Sequence, residues 1–474
     1  MTLTHPKAFT GTQLRATLTP LAAALMLLAA QPAMAQSAAD VMKELNALKA
    51  RISQLESQLS ATQAAAPSAS AGGVDAAEFN RVRVKTEALE DNNEALGYKG
   101  LKINGWMDPT IISSQNRKST SFNFLNKFDA SQPNTGYSYD NSFFGMAMLD
   151  LQKEMDGGTK WRLTLAPQKS AASAYNIGSI VHEASVSVPL GDLQTRFIAG
   201  QIPDWSGYEY IPSTQNKLIT HNILFDYTMP NYYTGAGFDI VSGKWNVKAL
   251  IGNLNNNRFG TAANEKHPLV TYRVDYAKGE YQGFGFAGQH GKSGGNKTNM
   301  IEADGYFVRG DLSLFGQLST GTSANSASNG GKASWQGASV LSAYKVTPKF
   351  ELVARGDVIK NKKNGGGVFG NVTSLANCPD AGALYGVGCT DGTNGFGPGM
   401  IDDSANGNGW QPDQNGNGVT RTALSLGANY LLNANVTLKA ELRLDRANGN
   451  VFLYQDGSYR KSNRTIGLST VVSF

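Results

Sequence analysis

The sequence has 474 residues, with 42 Lys and Arg against 37 Asp and Glu. Only 17% of its residues are charged, where soluble domains carry roughly 25%. No apolar run beyond residue 35 reaches the ~18 residues that a membrane-crossing helix needs, which excludes a helical membrane protein. The mild net charge of +5 gives no case for nucleic acid, and two cysteines with five histidines leave little material for a metal or redox centre.

Residues 1–35 read as an export signal. Lys7 and Arg15 supply the positive region, Leu21 to Ala30 the apolar stretch, and Ala33-Met34-Ala35 the small-residue site, so cleavage before Gln36 is expected. An uncleaved anchor is the alternative. Residues 36–63 carry a heptad, with Val41, Leu45, Leu48, Ile52, Leu55 and Leu59 at alternating spacings of four and three. That is the seam of a coiled coil. An Ala/Ser/Gly-rich linker follows over 64–74. The stretch 75–97 repeats the spacing with Phe79, Val82, Thr86, Leu89, Asn93 and Leu96. An oligomeric stem and two helices folded on themselves both fit this pattern.

From residue 98 onward the period changes to two. Val436, Leu438, Ala440, Leu442 and Leu444 alternate with Thr437, Lys439, Glu441, Arg443 and Asp445; Ile466, Leu468, Thr470, Val472 and Phe474 alternate in the same way. A strand with one apolar and one charged face suits lipid outside and water inside. Sixteen such strands are expected, near 99–109, 142–153, 159–167, 178–188, 193–201, 233–241, 244–253, 268–277, 280–290, 299–308, 312–319, 334–345, 349–359, 419–430, 435–445 and 464–474. Short turns such as Ser242-Gly243-Lys244 and Arg309-Gly310-Asp311 alternate with long polar connections: 110–140, 168–177, 202–231, 254–267, 291–298, 320–333, 360–418 and 446–463. Residues 218–228 are strand-like, but an even count requires them to be loop. The expected fold is an all-β transmembrane barrel of about 16 antiparallel strands preceded by a short α-helical coiled coil, wide enough for an aqueous channel.

The chain resembles proteobacterial porins in its last strand, which ends in Phe474 with apolar residues at every second position before it, like the signal read by the barrel-assembly machinery. The segment from Phe197 to Glu209 is similar to a strand-and-loop segment of porin-like barrels. The heptads ahead of the barrel resemble the stem of trimeric porins, and the overall pattern most resembles a betaproteobacterial porin-like family. The resemblance implies an outer-membrane barrel, a homotrimer, a stem in the periplasm and a third long loop folded into the pore.

That loop would be 202–231, with Asp204, Glu209, Lys217, His221 and Asp226 at the constriction. Facing it, the polar strand faces offer Arg162, Arg196, Lys248, Arg273, Arg355, Lys439, Glu441, Arg443 and Asp445 as pore wall. Carboxylates on the loop opposite basic groups on the wall would set a transverse field; pairing across strands is the plainer reading. The loop aromatics could form a sugar-stacking track or pack the loop. Cys378 and Cys389 fall within 360–418 and are expected to pair in an oxidising compartment, two free thiols being the alternative. The run from Asp413 to Gly418 fits half a calcium loop, but Leu424 stands where a bidentate Glu belongs. No nucleophile motif such as G-x-S-x-G is evident, so no enzyme activity and no cofactor are expected. The expected function is passive diffusion of small hydrophilic solutes across the outer membrane. The alternatives are a channel specific for a sugar or anionic metabolite, or a structural barrel whose stem contacts peptidoglycan.

Overall fold

The computed structural model describes residues 81–88, 97–116, 118–125, 143–167, 180–230, 232–254, 268–293, 296–325, 331–363, 398–413 and 418–474. The signal, the first heptad segment and Cys378 and Cys389 lie outside the described residues. A helix over 81–88, α1, falls within the second expected helical stretch and in a separate unit of the chain, Met1–Asp91. Arg83 and Glu87 pair one turn apart at 3.6 Å, and Val82, an expected seam position, is exposed.

The rest of the described chain is governed by one alternation. Side chains of a strand point to opposite faces, and here the two faces meet different solvents. On β18 (Thr420–Asn433) and β19 (Val436–Ala447), Leu424, Leu426, Leu438 and Leu444 are exposed, while Arg421, Ser425, Arg443 and Asp445 are buried inside. In register, Leu424 stands beside Leu444 and Ser425 beside Arg443. No helix among the described residues is long and apolar enough to cross a membrane; the strands carry the apolar belt.

The strands run as an antiparallel meander. They begin with β1 (Leu101–Met107), β2 (Thr110–Ser114), β3 (Ser119–Asn123), β4 (Ala147–Glu154), β5 (Lys160–Leu165), β6 (Val181–Leu190) and β7 (Asp192–Pro203). After an inward loop come β8 (Tyr232–Ser242), β9 (Trp245–Leu254), β10 (Leu269–Gly279), β11 (Gln282–Ser293) and β12 (Asn296–Arg309). Next are β13 (Leu312–Ser323), β14 (Ala333–Thr347) and β15 (Phe350–Lys363), then β18, β19 and finally β22 (Ser462–Ser473). Two small hairpins sit in the long connections, β16 (Met400–Asp402) with β17 (Trp410–Pro412) and β20 (Phe452–Leu453) with β21 (Tyr459–Arg460).

Pro109 interrupts the first strand, since proline donates no ladder hydrogen bond, so β1 and β2 are two halves of one stave. β4 pairs with β1 and β3 with β2, filling the next position together. The result is the expected closed barrel of 16 antiparallel strands. Closure runs from Trp106 beside Ser473 to Ser114 beside Thr465. Phe474 N donates to Gly105 O at 3.1 Å, and Phe474 O accepts from Gly105 N at 3.2 Å. The Phe474 ring lies over Gly105, where a Cβ would meet it at 2.2 Å.

The turns at one end are tight, and Gly243 (φ 58) and Gly310 (φ 57) supply the left-handed backbone that two-residue hairpins require. The other end carries the long connections. The expected connection 291–298 differs: β11 and β12 remain paired out to Ser293 and Asn296. Its polar residues read as loop because the strands rise beyond the apolar belt. For the same reason, β2 and β3 occupy part of the expected loop 110–140. Strand-like residues 218–228 are loop, as parity required, and end in a one-turn helix, α2 (Ile223–Thr228).

Leu426 lies midway along β18 on the lipid-facing wall. Leu426→Arg is expected to lower unfolding stability in lipid vesicles by ~2–4 kcal/mol, while Thr422→Arg at the rim costs ~0–1 kcal/mol. Urea titration monitored by tryptophan fluorescence checks this; equal effects at the two positions would contradict the lipid-facing assignment.

Candidate functional site

The connection between β7 and β8 turns inward and lies along the inner wall. Its apolar side chains find shallow places there because the wall is glycine-bearing. A Cβ on Gly337 would stand 2.2 Å from Leu224, one on Gly427 2.4 Å from Leu218, and one on Gly467 3.0 Å from Ile219. Ile223, Leu224 and Tyr227 join Tyr233, Leu250 and Trp335 in one buried cluster. Asn222 caps α2, accepting from Phe225 N at 2.8 Å.

Burial of a loop leaves backbone groups to be paired, and the wall charges pair them. Arg355, fully buried, donates through Nη1 to Glu209 at 2.9 Å and to Thr220 O at 2.7 Å. Through Nη2 it donates to His221 O at 2.8 Å and Ser425 Oγ at 3.2 Å, and through Nε to Asp357 at 3.0 Å. Glu441 does the converse job, accepting from Ile219 N at 2.7 Å, Thr220 N at 2.8 Å and Thr220 Oγ1 at 2.6 Å. Lys439 donates to Ser213 O at 2.8 Å and Asn216 O at 2.5 Å. Arg443 donates to His221 O at 3.1 Å and pairs with Asp226 at 3.7 Å and Asp445 at 3.2 Å.

The expected constriction residues therefore divide. Glu209 and Asp226 contact Arg355 and Arg443 directly and are buried with them. They do not stand across open lumen from these arginines, because the loop lies on this arc of wall and needs its charges. His221 is equally internal. Its Nε2 meets Tyr210 O at 2.7 Å and its ring stacks on Phe225 with centroids 3.9 Å apart. Burial lowers its pKa to about 3, so the ring is neutral and Nε2–H donates. Lys217 pairs with Glu351 at 2.7 Å and is partly exposed. Asp204 accepts from Tyr233 Oη and from Ser206 Oγ, the latter at 2.8 Å.

The opposite arc of wall stays open. A cavity of about 580 Å³ lies beside the loop, and Arg162, Lys248 and Arg273 line it with Asp275 and Asp304. Arg162, 40% exposed, stands over buried Asp150 at 2.8 Å and Glu183 at 3.3 Å. Lys248 meets Asp239 at 3.8 Å. Arg273 holds Asp304 at 2.7 Å and Asp275 at 2.8 Å, and donates to Trp205 O at 2.6 Å. Trp106, Trp205, Tyr306 and Phe315 form an apolar border. Arg196 is set apart. It donates to Ser187 Oγ at 2.6 Å and Gly158 O at 2.6 Å, tying down a tight turn.

Two anchors escaped the sequence reading. Asp108, beside the proline break, accepts from Met146 N at 2.7 Å and from Ser213 Oγ; nothing in its local pattern marks it. Arg421 donates to Asp445 at 2.7 Å and to Tyr227 Oη. It stands two residues before Ala423 on the inward face, so extending the alternation finds it. In the outer hairpin, hydrogen bonds from Ser404 hold Asp402, and those from Asn408 and Asn406 hold Asp403, below the usual carboxylate range. These carboxylates are occupied in turns, and no cluster of metal-ligating side chains occurs among the described residues.

The family described as "Putative beta-barrel porin-2, OmpL-like" matches residues 100–474. The chain belongs to this family. It is a porin-like outer-membrane barrel. Among solved structures it is similar to the outer membrane channel DcaP of Acinetobacter baumannii (10% identity, 79% of this chain and 97% of that one, TM-score 0.47). It is also similar to the anion-selective porin of Comamonas acidovorans (12% identity, 79% and 99%, TM-score 0.45) and to the outer membrane protein OmpT of Vibrio cholerae (12%, 79% and 97%, TM-score 0.46). No curated protein matches the sequence.

Arg355→Met leaves Glu209 and Asp357 as buried charges without their guanidinium. It is expected to cost ~3–5 kcal/mol at the loop and to free residues 204–230 from the wall. Limited proteolysis in detergent then cuts within that loop in the variant and not in the parent barrel.

Proposed function

We propose that this barrel is a passive diffusion channel for small hydrophilic solutes, and not an enzyme. The observation that carries the reading is the cavity of about 580 Å³ beside the inward loop. Three of its charged groups keep contact with water: Arg162 is 40% exposed, Lys248 32% and Asp275 34%, while Arg273 and Asp304 are mostly covered. The lumen thus offers solutes both signs of charge over one arc, while the other arc is filled by the loop. Flux follows the concentration gradient and needs no cofactor.

Three copies in the outer membrane, with a periplasmic stem over 36–97, complete the proposal. The heptads and the exposed seam residue Val82 support the stem, and a trimer form is recorded for OmpT of Vibrio cholerae. Phe474 is proposed as the assembly signal, supported by its exposed ring at the closing seam, and Cys378–Cys389 as a disulfide of the outer loop. Stem contact with peptidoglycan belongs to the structural alternative.

A solute-specific channel is the second reading, favoured by the aromatic border: Trp205, backed by buried Tyr233 with ring centroids 5.1 Å apart, and Tyr208, tilted on Phe315 at 5.7 Å, face the cavity. A sugar ring or the apolar part of an anionic metabolite fits such a border.

Purified protein in planar bilayers is expected to give discrete ion-conducting steps; a well-folded barrel without them contradicts the channel. Arg162→Glu combined with Lys248→Glu places negative charge on the open arc. Under a KCl gradient the zero-current potential is expected to move toward that of potassium, and no movement would show that ions pass elsewhere. Block of the ion current by one sugar or carboxylate from a panel would favour the specific channel.

A further inference from the structure

The outer face of the barrel carries cations that the lumen does not use. On the outward positions at the long-loop end stand Lys360 on β15, Arg446 on β19 and Arg464 on β22, all exposed. They are close neighbours in the sheet: Lys360 is registered with Thr420, Arg446 with Thr422, and Arg464 with Leu444. Lys118 joins them from the turn between β2 and β3, beside β22. These four have no carboxylate partner among the described residues. The inner-wall arginines Arg355 and Arg443, a few residues away in sequence, are saturated with carboxylates.

Two of the four frame a built recess. A cavity of about 290 Å³ on this outer surface is lined by Lys118, Arg464, Gln115, Ser113, Thr120 and Ile466. Two cations, an amide and, with Ser114, three hydroxyl side chains line it, and no acid does so among the described residues. Thr120 Oγ1 donates to Ser113 Oγ at 3.0 Å, and Gln115 N to Arg464 O at 2.9 Å, which fixes the rim. Lys118 adopts a left-handed backbone (φ 48), a conformation costly for a residue with a Cβ; here it places a lysine at the turn. The floor is apolar. Ile466 is 48% exposed, and Leu468 (54%) and Ile111 (42%) continue below it down the lipid-facing wall.

We propose that this recess binds the phosphorylated headgroup of an outer-leaflet lipid. Lys118 and Arg464 hold the phosphate as cation and planar donor fork, Ser113 and Thr120 add hydroxyl contacts, and the acyl chains run down Ile466, Leu468 and Ile111. A soluble anion would gain nothing from the apolar track, and a solute in transit does not meet the outer wall. The outward cations Arg446 and Lys360 extend the attraction to neighbouring anionic headgroups. The inference rests on the placement of the barrel in the outer membrane and not on what the lumen passes.

Native mass spectrometry of the full-length protein in detergent tests it, with diphosphoryl lipid A as probe. The parent protein is expected to retain this lipid at least about tenfold more than Lys118→Ser/Arg464→Ser, an affinity difference of ~1.4 kcal/mol. It should also retain it better than enzymatically dephosphorylated lipid A. Lys118→Ser alone, in an exposed turn, serves if the double variant does not fold, and is expected to lose about half the effect on a logarithmic scale. Equal retention by parent and folded variants overturns the site. Equal retention of the dephosphorylated lipid reduces it to apolar contact and also overturns it. Full displacement by millimolar inorganic phosphate overturns the lipid in favour of a free anion. Bilayer conductance of the same samples separates this result from the channel reading. A conducting barrel that retains no lipid refutes the headgroup site alone.

Discussion

The inward loop is held in place by the five hydrogen-bond donors of Arg355. A guanidinium has no acceptor and cannot lose its charge at ordinary pH, so a fully buried one must find a partner in every donor direction. Arg355 finds them in two carboxylates, two loop carbonyls and a wall hydroxyl. Thr220 O and His221 O are backbone groups of a loop with no strand beside it to pair them. The wall arginine takes the place of a neighbouring strand, and Glu441 does so for the adjacent amides of Ile219 and Thr220. Such buried charge pairs are poor sources of net stability, because desolvation offsets much of the attraction. Their value here is geometric: they define one position for a segment that could otherwise lie anywhere along the lumen.

That use of charge divides the inner surface into two arcs. From β14 to β22, wall charges are spent on holding the loop, and glycines at 337, 427 and 467 make room for its leucines and isoleucine. From β4 to β12 only part of the charge holds the loop, through Arg273 on Trp205 O and Glu302 on Gly207 N, while Arg162, Lys248 and Asp275 stay partly exposed. The polarity that a solute meets is therefore set by the second arc. Loop carboxylates such as Glu209 shape the passage by where they hold the chain, and contribute little field of their own because Arg355 neutralises them at contact distance.

The barrel was legible in the sequence because its signal is periodic and repeated. Each strand of alternating residues is a weak indication, but sixteen of them with short turns at one end leave few other arrangements, and parity alone assigned 218–228 to loop. Strand lengths were underread where strands rise above the apolar belt, as at Lys292 and Lys297, because polar residues facing headgroups or water look like loop. The inward loop was legible in position and composition but not in its contacts. Alternation states that Arg355 faces inward; it does not state that a loop from far along the chain will lie on it. Asp108 was invisible for the same reason, since its partner Ser213 is joined to it only by the folded loop.

Parity of position finally decides what each cation does. Arg443 and Arg446 lie three residues apart on one strand, which places one inside and the other outside. The inner one is buried against Asp445 and Asp226; the outer one is exposed, with no carboxylate partner among the described residues. A shift of one residue in the register of β19 would exchange them, putting Glu441, Arg443 and Asp445 into lipid and Leu442 and Leu444 against the loop. The charges that fix the loop therefore also fix the register, and the register sets which cations remain on the outer rim. Inner anchoring and outer electrostatics are two results of the same alternation.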